Sequence, residues 1–291
     1  MQIECLGEKI TKEVTKGCPQ GSVCGPIFWD VTLEPCLNML INLEETIGVV
    51  AYADDIAIVG KAESRRNLEA KAKTVLEKLH TWCHEQTTGY LSIAKTTYML
   101  FKGGLKRNPT IKLNNTPIKR STSTKYLGII IDERLNYQQH IKYICNKTYK
   151  IMNKIISIGQ RRFHLPLPVI RTYHNGILSA IMTYGASVWG HRVNCVTNEA
   201  AVNRTQRKIL IRLCGAYRTS PQNALLVTMG ITPIHLIILR RAATYWLRKH
   251  NNNRASEIML SPVNSILGIK YCVMHGKTQI LEDEHTKFSQ M

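Results

Sequence analysis

Between residues 134 and 254 there is a single acidic side chain, Glu199, against 19 lysines and arginines. Residues 1–133 are close to balanced, with 17 basic and 15 acidic side chains, and residues 255–291 carry three and four. Almost the whole formal net charge of +19 therefore lies on one continuous stretch. A one-signed surface repels itself and opposes folding, so it makes sense when a polyanion neutralises it, and nucleic acid is the commonest such partner. Long apolar runs are also missing. None approaches the ~18–20 residues of a membrane span, and the longest candidate, Ile177 to Trp189, is interrupted by Gly185. The first residues lack the basic-then-apolar layout of a secretory signal. The nine cysteines are an odd number without a CxxC pair, which argues for reduced thiols and against a disulfide framework. Cys272 and His275 form one Cys-x-x-His pair with no second pair nearby, short of the four ligands zinc needs. A soluble, intracellular protein with no membrane partner is expected.

With 44% hydrophobic residues over 291 positions, the chain can fill one large core or two modest ones. Residues 1–16 read as two short strands, followed by a glycine- and proline-punctuated loop at Gly17 to Ser22. Phe28, Trp29, Leu33, Leu37, Leu40 and Ile41 recur at helical spacing over 26–43, with Pro35 as a candidate kink. Two strand-length apolar runs between Ile47 and Val59 flank Asp54-Asp55, which predicts a hairpin with both aspartates at its tip. Ser64 is placed to cap a helix over 64–86 whose inner side carries Leu68, Ala72, Val75, Leu79 and Trp82. A strand is expected around Leu91 to Phe101, then short strands over 110–131 with turns at Asn114-Asn115 and Ser121. Beyond Tyr137 the pattern turns helical, at 137–158, 168–188, 197–214, 221–229 and 234–250, and Asn251 to Asn253 reads as a linker.

Asp54-Asp55 is the sharpest chemical signal. Like charges this close disfavour each other, and hairpin turns more often use Asn-Gly or Asp-Gly. A divalent cation compensates the charge, and Mg²⁺ prefers carboxylate oxygens together with substrate phosphates. Taken alone, the pair reads more readily as a plain acidic turn.

Its neighbours change that. Tyr52-Ala53-Asp54-Asp55 resembles the catalytic hairpin of reverse transcriptases. Gly17-Cys18-Pro19-Gln20-Gly21-Ser22 with Gly25-Pro26 is similar to the family's substrate-positioning loop and helix. Leu91 to Thr96, containing Lys95, resembles the following lysine motif, and Lys125-Tyr126-Leu127-Gly128 the primer grip. Gln206 to Leu210, Gly215 to Ser220 and Leu225 to Pro233 resemble the segment after the polymerase in type-1, non-LTR retrotransposable elements, so the resemblance covers about residues 3–250. Cys24 departs from the leucine usual in the family, a volume change in a small apolar slot.

The resemblance implies Asp54 and Asp55 as ligands of two Mg²⁺ ions and Lys95 as the group that meets the departing pyrophosphate. Pro19, Gln20 and Gly21 would position the template base and nucleotide, Tyr52 and Ala53 would lie near the primer end and the incoming nucleotide, and Tyr126, Leu127 and Gly128 would hold the primer. Arg161, Arg162, Arg204, Arg207, Lys208, Arg212, Arg240 and Arg241 would grip duplex phosphates; Arg204, Lys208 and Arg212 recur every four residues on one helical face. The implied partners are an RNA template, a DNA primer or target, and deoxynucleoside triphosphates, with nuclear action at a chromosomal nick. The family's further carboxylate precedes the Gly17 loop, and Glu4, Glu8 and Glu13 do not match its motif. At least one metal ligand, the fingers and an endonuclease are thus expected upstream in the same polyprotein, and these residues alone are expected to be inactive.

The expected architecture is α+β. A partial polymerase palm occupies 1–133, a small antiparallel sheet backed by two helices, and an all-α basic thumb occupies 134–250, with a tail of unknown role at 251–291. Two other readings stand beside it. A viral RNA-directed RNA polymerase usually has glycine where Ala53 stands. A non-catalytic RNA- or DNA-binding protein, or decayed element copy, would be served as well by the basic stretch.

Overall fold

The computed structural model describes residues 2–5, 8–11, 21–44, 46–85, 91–101, 107–159 and 165–260. Two compact units divide the chain, residues 1–122 and 123–291. The architecture is α+β.

In the first unit, β1 (Gln2–Cys5) and β2 (Glu8–Thr11) pair antiparallel, and α1 (Gly25–Ile41) follows, with Pro26 in its first turn. Proline suits that position because the amide there needs no helical partner. Pro35 removes one interior hydrogen bond, yet α1 continues through it. β3 (Thr46–Tyr52) and β4 (Asp55–Gly60) form an antiparallel hairpin. α2 (Arg65–Glu85) comes next, its start capped by Ser64, whose Oγ accepts from the Asn67 N–H at 3.2 Å. Leu33, Cys36 and Leu40 of α1 are buried with Val75 and Leu79 of α2, and Val49, Ala51, Ile56 and Ile58 of the hairpin pack against them. One face of the hairpin is thereby covered by helices, as the alternation of its apolar residues requires.

The expected strand at 91–101 shrinks to β5 (Thr97–Tyr98). The residues before it form a turn in which the Lys95 and Thr96 amides both donate to the Ser92 carbonyl. β5 pairs in parallel with β8 (Lys119–Arg120), after β6 (Lys112–Leu113) and β7 (Thr116–Pro117) have closed a hairpin over Asn114-Asn115.

The second unit opens with the hairpin of β9 (Ser123–Tyr126) and β10 (Ile129–Asp132). The division between units thus falls ahead of this hairpin, whereas the sequence placed it after residue 133. The reason is packing: Ile129 and Ile131 lie against the helical core. The Asp132 carboxylate accepts from the Arg134, Asn136 and Tyr137 amides and shapes the link to α3 (Gln138–Gly159). Ile141, Ile144, Cys145, Met152 and Ile156 give α3 one buried stripe.

The helix expected at 168–188 is broken. α4 (Leu167–Tyr173) passes through a wide π-turn at His174–Leu178 into α5 (Ser179–Met182), and a turn at Thr183 to Gly185 precedes α6 (Ala186–Trp189). After one 3₁₀ turn (Gly190–Asn194) come α7 (Val196–Cys214), α8 (Gln222–Met229) and α9 (Ile234–Arg248). Asn251 to Asn253, expected as a linker, begins α10 (Asn252–Leu260). The Asn251 Oδ1 accepts the Arg254 amide at 3.1 Å, and Ala255 and Ile258 are buried in the helical core. Trp189, with no exposed surface, lies in that same core. Among the described residues no single helix is long and apolar enough to cross a membrane.

Candidate functional site

The β3–β4 hairpin closes through a two-residue turn, Ala53-Asp54, with Tyr52 paired opposite Asp55. Only Asp54 therefore sits in the turn, and Asp55 begins the return strand, one step from the expected placement of both at the tip. Ala53 adopts φ +51°, a region that residues with a Cβ enter at a cost. The Trp29 indole N–H of α1 donates to the Ala53 carbonyl at 2.8 Å and holds the turn there. Tyr52, Ala53, Asp54 and Asp55 are all exposed. No ion pair engages either aspartate among the described residues.

A shallow groove beside the hairpin is lined by Ile27, Asp30, Val31, Glu34, Ala51 and Ala53. Asp30 and Glu34 lie one helical turn apart on α1, and no motif in the sequence signalled them. Among the described residues no three carboxylate, histidine or cysteine side chains group tightly enough to hold an ion by themselves. Asp54 and Asp55 remain as neighbouring hard oxygen donors. That set fits a hard divalent cation completing its shell with further oxygen ligands.

In the second unit, β9 and β10 meet at Leu127-Gly128, with φ of +44° and +83°. Both central residues are left-handed, as in the tightest hairpin turns. Tyr184, which the motifs did not single out, lies against this turn. Its hydroxyl donates to the Leu127 carbonyl at 3.1 Å.

The reverse transcriptase (RNA-dependent DNA polymerase) family model matches residues 3–131. The chain is 33% identical over 242 residues to the Retrovirus-related Pol polyprotein from type-1 retrotransposable element R1 of Bradysia coprophila, covering 82% of this chain and 24% of that protein. Residues 3–131 are thus a reverse transcriptase segment, and the chain is similar to the Pol polyproteins of type-1 retrotransposable elements. It is also 30% identical over 236 residues to the putative 115 kDa protein in type-1 retrotransposable element R1DM of Drosophila melanogaster, covering 81% of this chain and 23% of that relative. A Nasonia vitripennis Pol polyprotein of type-1 element R1 is 26% identical over 245 residues, covering 82% and 72%. The chain thus spans about a quarter of the length of the first two relatives. No solved structure is significantly similar to it.

The other residues singled out in this chain fall into three groups. Pro19, Gln20, Arg161 and Arg162 lie outside the described residues. Gly21, at φ +89°, is exposed just ahead of α1, and Lys95 is exposed on its turn with no described bond to the aspartates. The third group is the cations of the second unit. Arg204, Lys208 and Arg212 are exposed along α7, and Arg240 and Arg241 along α9. The Arg212 guanidinium bonds the Asn153 side chain of α3. The Tyr149 hydroxyl is held below its ordinary pKa by a hydrogen bond with Asn153, then by Arg212 and Lys208, which sets those two cations beside α3.

Arg207 behaves differently from its neighbours. Its guanidinium donates to the Ser220 and Arg218 carbonyls at 2.6–3.1 Å and anchors the loop after α7. Arg171 and Arg192 are likewise engaged, by Met229 and Asn136. Spacing alone could not separate these structural arginines from the exposed ones.

Proposed function

We propose that this chain supplies the Asp-Asp hairpin and the basic helical part of an RNA-directed DNA polymerase of a non-LTR retrotransposon. Primer 3′-hydroxyl attack on the α-phosphorus of a deoxynucleoside triphosphate forms a P–O bond, breaks the α–β bond and releases pyrophosphate. Asp54 and Asp55 would hold Mg²⁺, which when bound neutralises phosphate charge and lowers the pKa of the attacking hydroxyl. Lys95 would meet the leaving pyrophosphate as a flexible cation. Gly21, with Pro19 and Gln20, would leave backbone open to the template base and nucleotide, beside Tyr52 and Ala53. The turn at Tyr126, Leu127 and Gly128 would hold the primer. Arg204, Lys208, Arg212, Arg240 and Arg241 would hold duplex phosphates, as would Arg161 and Arg162. The remaining metal ligand, the fingers and an endonuclease would come from the rest of the polyprotein, which would act in the nucleus by priming synthesis at a target nick.

The observation that carries this reading is a pair of exposed, adjacent carboxylates at a hairpin bend, inside the segment matched by the family. Asp54→Asn in the complete polymerase removes one metal-ligating charge and keeps the side-chain shape. Primer extension is expected to fall by about a thousandfold or more, with RNA–DNA duplex affinity retained. Undiminished extension by Asp54→Asn would sink the catalytic assignment and leave nucleic-acid binding as the function.

A further inference from the structure

Leu127 is an unusual residue for its backbone. Left-handed conformations at both central positions of a turn favour Asn, Asp or Gly, and a branched apolar side chain there is strained. The chain itself uses the easier solution elsewhere, closing β6–β7 with Asn114 and Asn115 at φ +49° and +62°. At Leu127-Gly128 an outside group holds the turn instead. The Tyr184 hydroxyl donates to the Leu127 carbonyl at 3.1 Å, and a Cβ at Gly128 would lie 3.1 Å from Tyr184 Cε1. Ring and hydroxyl together fit the left-handed turn closely, and a side chain at 128 would crowd the ring.

Tyr184 is itself held from behind. Its carbonyl accepts the Trp189 indole N–H at 2.9 Å, and Trp189 is fully buried. The next residue, Gly185, presses against β10: a Cβ there would meet Ile129 Cδ1 at 2.5 Å. The break between α5 and α6 is thus docked on the β9–β10 hairpin from the helical side. Tyr184 remains 57% exposed, although its hydroxyl is used on a backbone carbonyl.

We propose that Tyr184 is a positioning residue for the primer: it holds the Leu127-Gly128 turn so that the bare, exposed backbone at Gly128 meets the primer strand. A glycine in this conformation lets a polyanionic backbone approach closely, because no Cβ intervenes. Within the first unit, Trp29 holds a turn in the same way, donating to the carbonyl of left-handed Ala53. The inference rests on reading Tyr126 to Gly128 as the primer-holding turn, and the test separates the two.

The measurement is primer extension by the complete polymerase, with primer–template concentration varied, beside thermal melting of each variant. Tyr184→Phe keeps the ring on Gly128 and removes the donor. The KM for primer–template is expected to rise about three- to tenfold, the size of one lost neutral hydrogen bond, with kcat within about twofold and melting unchanged. In a Leu127→Gly background, where the left-handed turn needs no outside support, the same Tyr184→Phe change is expected to alter KM by less than about twofold. Gly128→Val tests the turn directly and is expected to raise KM more than Tyr184→Phe does. If Gly128→Val raises KM while Tyr184→Phe leaves it alone, or if Tyr184→Phe acts equally in both backgrounds, the positioning role is overturned and the primer-holding turn survives. If Gly128→Val melts normally and leaves KM unchanged, the turn does not hold the primer and both ideas fall.

Discussion

His140 is fully buried beside Trp189, with ring centroids 5.2 Å apart, and its Nδ1 accepts the Ile130 amide at 3.2 Å. Its proton therefore sits on Nε2, which has no hydrogen-bond partner among the described residues. Burial pushes the imidazole pKa down to about 4. His191 is also lowered to about 4, by burial first and then by Arg192 and Arg254. In the unfolded chain both take a proton near pH 6.5, so below that value the unfolded state binds more protons than the folded one. Stability is thus full above about pH 6.5 and declines as pH falls toward 4. For His140 alone the loss at pH 5 is on the order of 2 kcal/mol. Urea unfolding at pH 7.5 and pH 5 measures it, and His140→Gln should flatten that part of the pH dependence. An unchanged dependence would mean that His140 is charged in the folded state.

At the level of elements, Arg207 decides how the segment between α7 and α8 is presented. Its bonds to the Arg218 and Ser220 carbonyls hold a loop whose Tyr217 is 86% exposed. Arg207→Ala is expected to lower the stability of the second unit by about 1 kcal/mol, because the half-buried Ser220 carbonyl and the exposed Arg218 carbonyl lose a charged donor. Trypsin should also cleave faster after Arg218. If the digestion rate stays the same, the loop is held by something other than Arg207. The amphipathic helices α2, α3, α7 and α9 were readable because their apolar residues recur with the helical period. The break at Thr183 to Gly185 was not, since the mostly apolar run from Ile177 to Trp189 reads as one helix and Gly185 by itself does not fix a turn. α10 was masked by three successive asparagines, one of which is its cap.

At the scale of the whole molecule, charge is divided as the fold is divided. The nearly balanced residues build the unit with the aspartate hairpin, and the basic stretch builds the helical unit. Binding to RNA–DNA duplex should weaken steeply with salt and depend little on sequence. Arg204→Gln and Lys208→Gln should each reduce the slope of log affinity against log salt by about one, whereas Arg207→Gln should change it less, since that guanidinium faces backbone carbonyls. Equal slopes for all three variants, measured by fluorescence anisotropy, would mean that exposure on α7 does not select the phosphate contacts.

Period, punctuation and motif order were enough to read the α+β class, the hairpin carrying Asp54 and Asp55, the helix spacing behind it and the basic character of the second half. These are local properties, set by residues within a few turns of one another. Tyr184 on Leu127, Trp29 on Ala53 and Arg207 on Ser220 join positions 57, 24 and 13 residues apart. No periodicity records such contacts, because they exist only once the helices have packed. Packing also drew the β9–β10 hairpin into the helical unit and set Arg207, beside the basic face, on the loop carbonyls after α7.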